Sequence, residues 1–239
     1  MLQTIFSNIM GFHFLMRWLH VFFGVMWIGL LYYFNFVQGA FMAETQEAVA
    51  KSQVTQKLLP RAMWWFRWGA MWTFVSGLLM LSIRSHLDVS AAGIGIFATP
   101  YWINILTGAL FGTLMWFNVW FVIWPNQKTV IANAVAMAGG APANPKAAPS
   151  AARALVASRT NTLFSIPMLF MMLGAQHLGY AISDSSHVCY YWIVAGLIIL
   201  GLEANAIFGK TGPMATIKGV ITSGFILTAV IVTVASVIL

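Results

Sequence analysis

Residues 17–38 read RWLHVFFGVMWIGLLYYFNFVQ, and from Trp18 to Gln38 no Asp, Glu, Lys or Arg interrupts the run. Crossing the hydrocarbon of a bilayer takes about 20 mostly apolar residues in a helix. This stretch meets that requirement by itself, and the rest of the chain repeats it. Of 239 residues, 60% are hydrophobic, 15% aromatic and 7% charged, and the mean hydropathy is +0.83. A soluble domain carries roughly 25% charged residues, so soluble, disordered, collagen-like and disulfide-scaffold classes are excluded. The composition is that of an integral membrane protein embedded in a lipid bilayer.

Six windows are long and apolar enough to span, at approximately 13–41, 62–83, 101–124, 160–182, 188–208 and 217–239. The expected fold is all-α: one transmembrane helix bundle over residues 1–239 with about six spans. Between the third and fourth windows, residues 125–158 include AGGAPANPKAAPSAA. This composition reads as a flexible Ala/Pro-rich cytoplasmic loop, with some helix at its start. No basic residue precedes Arg17, and the first apolar run is too long for a signal-peptide core, so the first helix is expected to remain in the mature chain.

Charge sets the orientation. Lys51, Lys57, Arg61, Lys128, Lys146, Arg153, Arg159, Lys210 and Lys218 fall on one side of the six-span scheme, and Arg84 on the other. The basic side is cytoplasmic by the positive-inside rule, which places both termini outside and the chain in a bacterial inner membrane as a multi-pass protein. The net charge of +7 therefore reflects loop topology and not nucleic-acid binding. Clusters such as Trp64, Trp65 and Trp68 read as interfacial belts. Gly108 and Gly112 form a G-x-x-x-G suited to close helix packing, and Pro167 should kink the fourth span.

Ionisable groups inside a span are costly and are candidates for function. His13, Arg17 and His20 recur at spacings of four and three, on one helical face. His20 lies about 10 Å below the outer end of the first span, and His177 about 8 Å below that of the fourth, at 1.5 Å per residue. Two imidazoles of similar depth on different helices are what a b-type haem needs as axial ligands. A proton-relay or substrate role, or simple hydrogen bonding, accounts for the same pair equally well in kind. Arg17 could hold a haem propionate or an anionic substrate through its planar donors, or snorkel to the surface. His86 and His187 fall at the outer ends of spans, where loop histidines are ordinary. Arg67 and Glu203 fall in the inner half and are expected to form a structural ion pair, with quinone or proton handling as the alternative. Asn118 and Asn161 are expected to bond across helices. The single Cys189 excludes disulfides, all-cysteine metal sites and a C-x-x-C-H haem attachment, and no nucleotide-binding or hydrolase signature is present.

Four segments carry a resemblance: RWLHVFFGVMWIGLLYYFNFVQ (17–38), WWFRWGAMWTFVSGLLML (64–81), FGTLMWFNVWFVIWPNQKTVI (111–131) and SRTNTLFSIPMLFMMLGAQHLGY (158–180). Over residues 13–182 the chain resembles the membrane domain of bacterial membrane-bound urate hydroxylases, the urate oxidase N-terminal domain family. The resemblance implies an oxidoreductase that converts urate to 5-hydroxyisourate and passes electrons to a cytochrome c outside the cytoplasm. It places Arg17, His20, Arg67, Asn118, Asn161 and His177 at motif positions, with Arg17 and Asn161 as candidate catalytic residues. Two features depart from the family pattern. Leu239 directly follows a span, so a separate cytochrome c or a larger respiratory or photosynthetic complex is expected as electron acceptor. Thr160 stands before Asn161 where the pattern has a histidine. The expected protein is thus a haem b-binding membrane redox protein; the alternative is a non-catalytic subunit of such a complex.

Overall fold

A computed structural model of the chain describes residues 8–239. Six long helices dominate. They are α1 (Ile9–Glu44, 36 residues), α2 (Ala48–Ala92, 45 residues) and α3 (Pro100–Ala138, 39 residues), followed by α4 (Ala147–His177, 31 residues), α5 (His187–Phe208, 22 residues) and α6 (Ile217–Ile238, 22 residues). No strand occurs among the described residues. Local chemistry fixes the ends: the Asn8 side chain accepts from the Gly11 amide at 2.7 Å, supplying one of the partners an N-terminal turn lacks. Gly93, at φ 76°, stops α2 in a conformation that other residues rarely adopt.

Each helix runs antiparallel to the one before it. The end of the bundle that holds Asn8, Arg84 and Leu239 is called the upper end. Ser183 joins α6 there, its backbone N–H donating to the Leu239 carbonyl at 2.8 Å. In the lower half of α1 and α3, and at the foot of α2, the helices widen into π turns at Tyr33–Gln38, Asn118–Ile123 and Val54–Leu58.

Five of the helices are long and apolar enough to cross a membrane, so the chain is a multi-pass membrane protein. The exception by composition is α4, which carries Arg153, Arg159 and the polar run Thr160-Asn161-Thr162. Yet α4 is the hub of the bundle, in contact with α1, α3, α5 and α6. From Arg159 to Met168 every residue except the half-buried Ile166 is buried. Polar side chains are excluded from lipid unless protein surrounds them, and here four apolar helices do the surrounding.

The helices are longer than the apolar windows. Residues 125–138 continue α3 and residues 147–158 open α4, so the loop expected at 125–158 shrinks to residues 139–146. Alanine explains the difference: it is the best helix former, and the Pro and Gly residues that suggested a loop sit mainly in the short break. The α3–α4 seam depends on a missing side chain. A Cβ on Gly108 would come within 2.6 Å of Met172 Cγ and 3.2 Å of the Met168 carbonyl oxygen. Gly108→Ala is therefore expected to lower stability by about 1–3 kcal/mol. Gly201→Ala, where a Cβ meets nothing within 4 Å, should be neutral or stabilise by under ~1 kcal/mol. Thermal unfolding in detergent measures both; equal midpoints would remove the seam from the account.

Candidate functional site

The upper half of the bundle holds a cavity of about 630 Å³ walled by α1, α2, α3 and α4. That volume falls within the roughly 300–1,000 Å³ typical of cofactor and ligand sites. Its surface is almost wholly apolar, and His20 is the one titratable imidazole on it. The packing of α1 on α2 positions this ring. A Cβ on Gly77 would lie 3.0 Å from His20 Cε1, so only glycine there leaves the imidazole its place. His20 Nδ1 lies 2.8 Å from the Thr73 carbonyl oxygen. A carbonyl can only accept, so Nδ1 carries the proton and donates. In its neutral form the ring then presents Nε2 as a free lone pair. A histidine fixed through one nitrogen by a carbonyl and left open at the other is the arrangement that metal-ligating histidines adopt.

The other expected ligand is elsewhere. His177 is exposed at the upper end of α4, and the α4 wall of the cavity is made by Met168, Leu169, Met172 and Leu173. The two histidines thus do not share this cavity. His13, one turn above Arg17, is buried, whereas Arg17 is exposed. Arg17 is one turn above His20 on α1, and Arg84 is one turn above the lining residue Leu81 on α2. Arg84 pairs with Asp88 at 2.8 Å, Asp88 accepts from Trp102 Nε1 at 3.0 Å, and the guanidinium lies 5.3 Å from the centre of the Tyr101 ring. The cavity's upper margin therefore carries Arg17 beside the Arg84–Asp88 pair. On one flank it opens sideways, where Val25 and Leu173 are 70% and 66% exposed.

A second polar centre lies lower. Asn118 Nδ2 donates to Asn161 Oδ1 and to Glu203 Oε2, each at 3.0 Å, and Asn161 Nδ2 donates to the Met115 carbonyl at 2.9 Å. These bonds tie α3, α4 and α5 together. Asn118 opens a π turn, where the shifted backbone ladder leaves carbonyls in want of donors. Asn35 does the same in α1, donating to the Leu31 carbonyl at 2.9 Å and to Ser158 Oγ at 2.8 Å.

The expected Arg67–Glu203 pair is not formed. The only ion pair among the described residues is Arg84–Asp88. Arg67 donates to the Met63 carbonyl and lays its guanidinium 3.5 Å from the Trp124 ring centre and 5.5 Å from that of Trp120. Tryptophan faces satisfy the cation without a carboxylate, and Glu203 faces Asn118 instead. Asn161 has its amide engaged by α3 and is not among the residues lining the cavity.

Other residues of the core escaped the sequence reading. Arg159, counted among the loop charges, is buried, and its Nε and Nη1 find no partner. Tyr32 bonds Ser165 at 2.9 Å and Tyr191 bonds Thr107 at 2.7 Å. A smaller cavity of about 330 Å³ near the upper end is lined in part by Asn104 and Tyr180, with Tyr180 Oη donating to Asn104 Oδ1 at 3.2 Å. Among the described residues, no three His, Cys, Asp or Glu side chains converge, so any metal site rests on fewer ligands of those types.

Among known proteins, the family model described as "Urate oxidase N-terminal" matches residues 96–237. The match takes in the third, fourth, fifth and sixth helices. No curated protein and no solved structure matches the chain.

Replacing Asn161 with Leu would leave the Met115 carbonyl and one Asn118 N–H unpaired in the core, at about 1–3 kcal/mol for each orphaned group. Glu203→Gln retains an oxygen to accept from Asn118 and should cost less. Denaturation in mild detergent should rank Asn161→Leu as the more damaging; the reverse order would mean the network does not hold the helices.

Proposed function

The chain belongs to the urate oxidase N-terminal family, and from that premise we propose that it is a membrane redox protein that holds haem b in the His20 cavity. The observation that carries the proposal is the His20 ring, held at Nδ1 by the Thr73 carbonyl and open at Nε2 on a large apolar cavity. The residues fit the group. Gly24, Gly29, Gly77 and Gly112 thin the walls, and a Cβ on Gly29 would meet nothing within 4 Å. The apolar lining suits a porphyrin face, and Arg17 and Arg84 at the upper margin suit its propionates. When bound, the iron supplies a one-electron relay between its ferric and ferrous states. His20 would hold the iron through Nε2, the Thr73 carbonyl would fix its tautomer, and the surrounding helices would exclude water.

The bundle is proposed to cross a bacterial inner membrane six times, with α4 as a protein-enclosed sixth span and both termini outside. The eight loop cations at the lower end, against Arg17 and Arg84 at the upper, support that orientation. It sets the haem near the outer face, within reach of a periplasmic cytochrome c or a partner complex of the respiratory or photosynthetic type. Family membership makes urate the substrate to try first. Its oxidation to 5-hydroxyisourate takes up one water and releases two protons and two electrons, which the cytochrome acceptor removes. A second reading, a quinone with its tail in the bilayer, is favoured by the exposed flank at Val25 and Leu173. The alternative of a non-catalytic electron-transfer subunit shares the same cofactor site.

Purified from haem-replete cells, the protein should show sharp reduced bands of b type. His20→Ala should abolish them and His177→Ala should leave them intact. A colourless wild type, or haem retained in His20→Ala, contradicts the proposal; bound quinone in the extract would favour the second reading.

A further inference from the structure

Resting on the haem reading above, we infer that the second axial ligand is the thioether of Met168, making a His/Met centre. The argument is one of register. The Phe74 and Trp116 rings stack at 4.2 Å, which aligns the antiparallel helices α2 and α3. One turn upward from each lie Gly77 and Gly112, at a common depth. Gly77 is the residue that makes room for the His20 ring. Gly112 does the same on the facing wall: a Cβ there would lie 3.5 Å from Met168 Sδ. The imidazole and the thioether therefore stand at one level on different walls of one cavity, and both line it.

The hydroxyl oxygens on the cavity wall are engaged, and Trp27 Nε1, which has no partner there, carries no lone pair to offer a metal. Tyr32 Oη is bonded to Ser165, Thr73 Oγ1 donates to the Gly69 carbonyl and Thr113 Oγ1 to the Ala109 carbonyl. Met80 stands on α2, the helix whose Thr73 carbonyl accepts from the His20 ring, and so on the same wall as the imidazole's anchor. Met172, one turn above Met168, runs from the notch at Gly108, where its Cγ packs, to Gly112, where it presents its Cε methyl at 3.6 Å and Met168 presents its sulfur. Met168 is buried and follows Pro167, which has no amide hydrogen and loosens α4 there. A buried methionine is ordinarily a gap filler; here it lines the same cavity as His20. Thioether ligation raises the potential of a haem relative to two imidazoles, which suits a centre that must draw electrons from an organic substrate and give them to a c-type cytochrome.

The test uses the purified haem-loaded chain, with near-infrared and magnetic spectra of the ferric form and a redox titration. The wild type should show a thioether-to-iron charge-transfer band. Met168→Leu conserves volume and should keep the haem while losing that band, with a lowered midpoint potential. Met168→His should give a bis-imidazole spectrum and also a lowered potential, and Met172→Leu should change neither property. If the haem is present and Met168→Leu matches the wild type, or Met172→Leu is the variant that loses the band, Met168 is not the ligand although the haem reading stands. If the wild type binds no haem, or His20→Ala retains it unchanged, both fail.

Discussion

Hydrocarbon offers no partner to a polar group, and the whole bundle is arranged around that constraint. The fourth helix carries a buried guanidinium, a buried amide and a run of hydroxyls, which no lipid-facing position would tolerate. It becomes stable in a membrane only when other helices enclose it. Two consequences follow from the enclosure. Outward faces can be largely apolar, as on α5, and cross-helix hydrogen bonds can form in a medium where each has few competitors.

The two halves of the bundle answer different demands. In the lower half, π turns release carbonyls at Leu31 and Met115, and asparagine side chains at positions 35 and 161 take them. These bonds tie α1, α3, α4 and α5 into a tight base. In the upper half, α1 and α2 separate from α3 and α4, and glycines replace side chains along the gap. The base keeps the walls of that gap at a fixed spacing, as a rigid scaffold does for a positioned ligand. The redox reading depends on this division: a site for a flat cofactor needs walls that neither collapse nor drift.

Much of this was legible in the sequence, but only in one dimension. Hydropathy located every long helix, because burial in hydrocarbon is a property of composition. It could not give their full lengths, since Ala-rich ends such as 147–158 are helical for reasons of propensity and not of polarity. Depth along each helix set His20 at the level of the cavity, where it is a half-buried imidazole of the first helix. Depth says nothing of azimuth, however. Arg67 and Glu203 share the lower half yet face different neighbours, and His177 lies beyond the cavity on which His20 opens. Arg159 looked like a loop charge because it stands at the edge of an apolar window. The Asn118–Asn161–Glu203 network needed three helices in register, which no single stretch of sequence encodes. Met168 carried no signal at all, since methionine in a helix reads as packing.

The central claim is that α4, the least apolar of the long helices, is the most enclosed. Hydrogen–deuterium exchange of the protein in detergent micelles tests it directly, because protection reports the free energy of local opening. Amides across residues 159–168 should exchange more slowly than those of α5 and α6, whose outer faces meet only lipid or detergent. Fast exchange of residues 159–168, at the rate of a helix lying in water, would contradict the account.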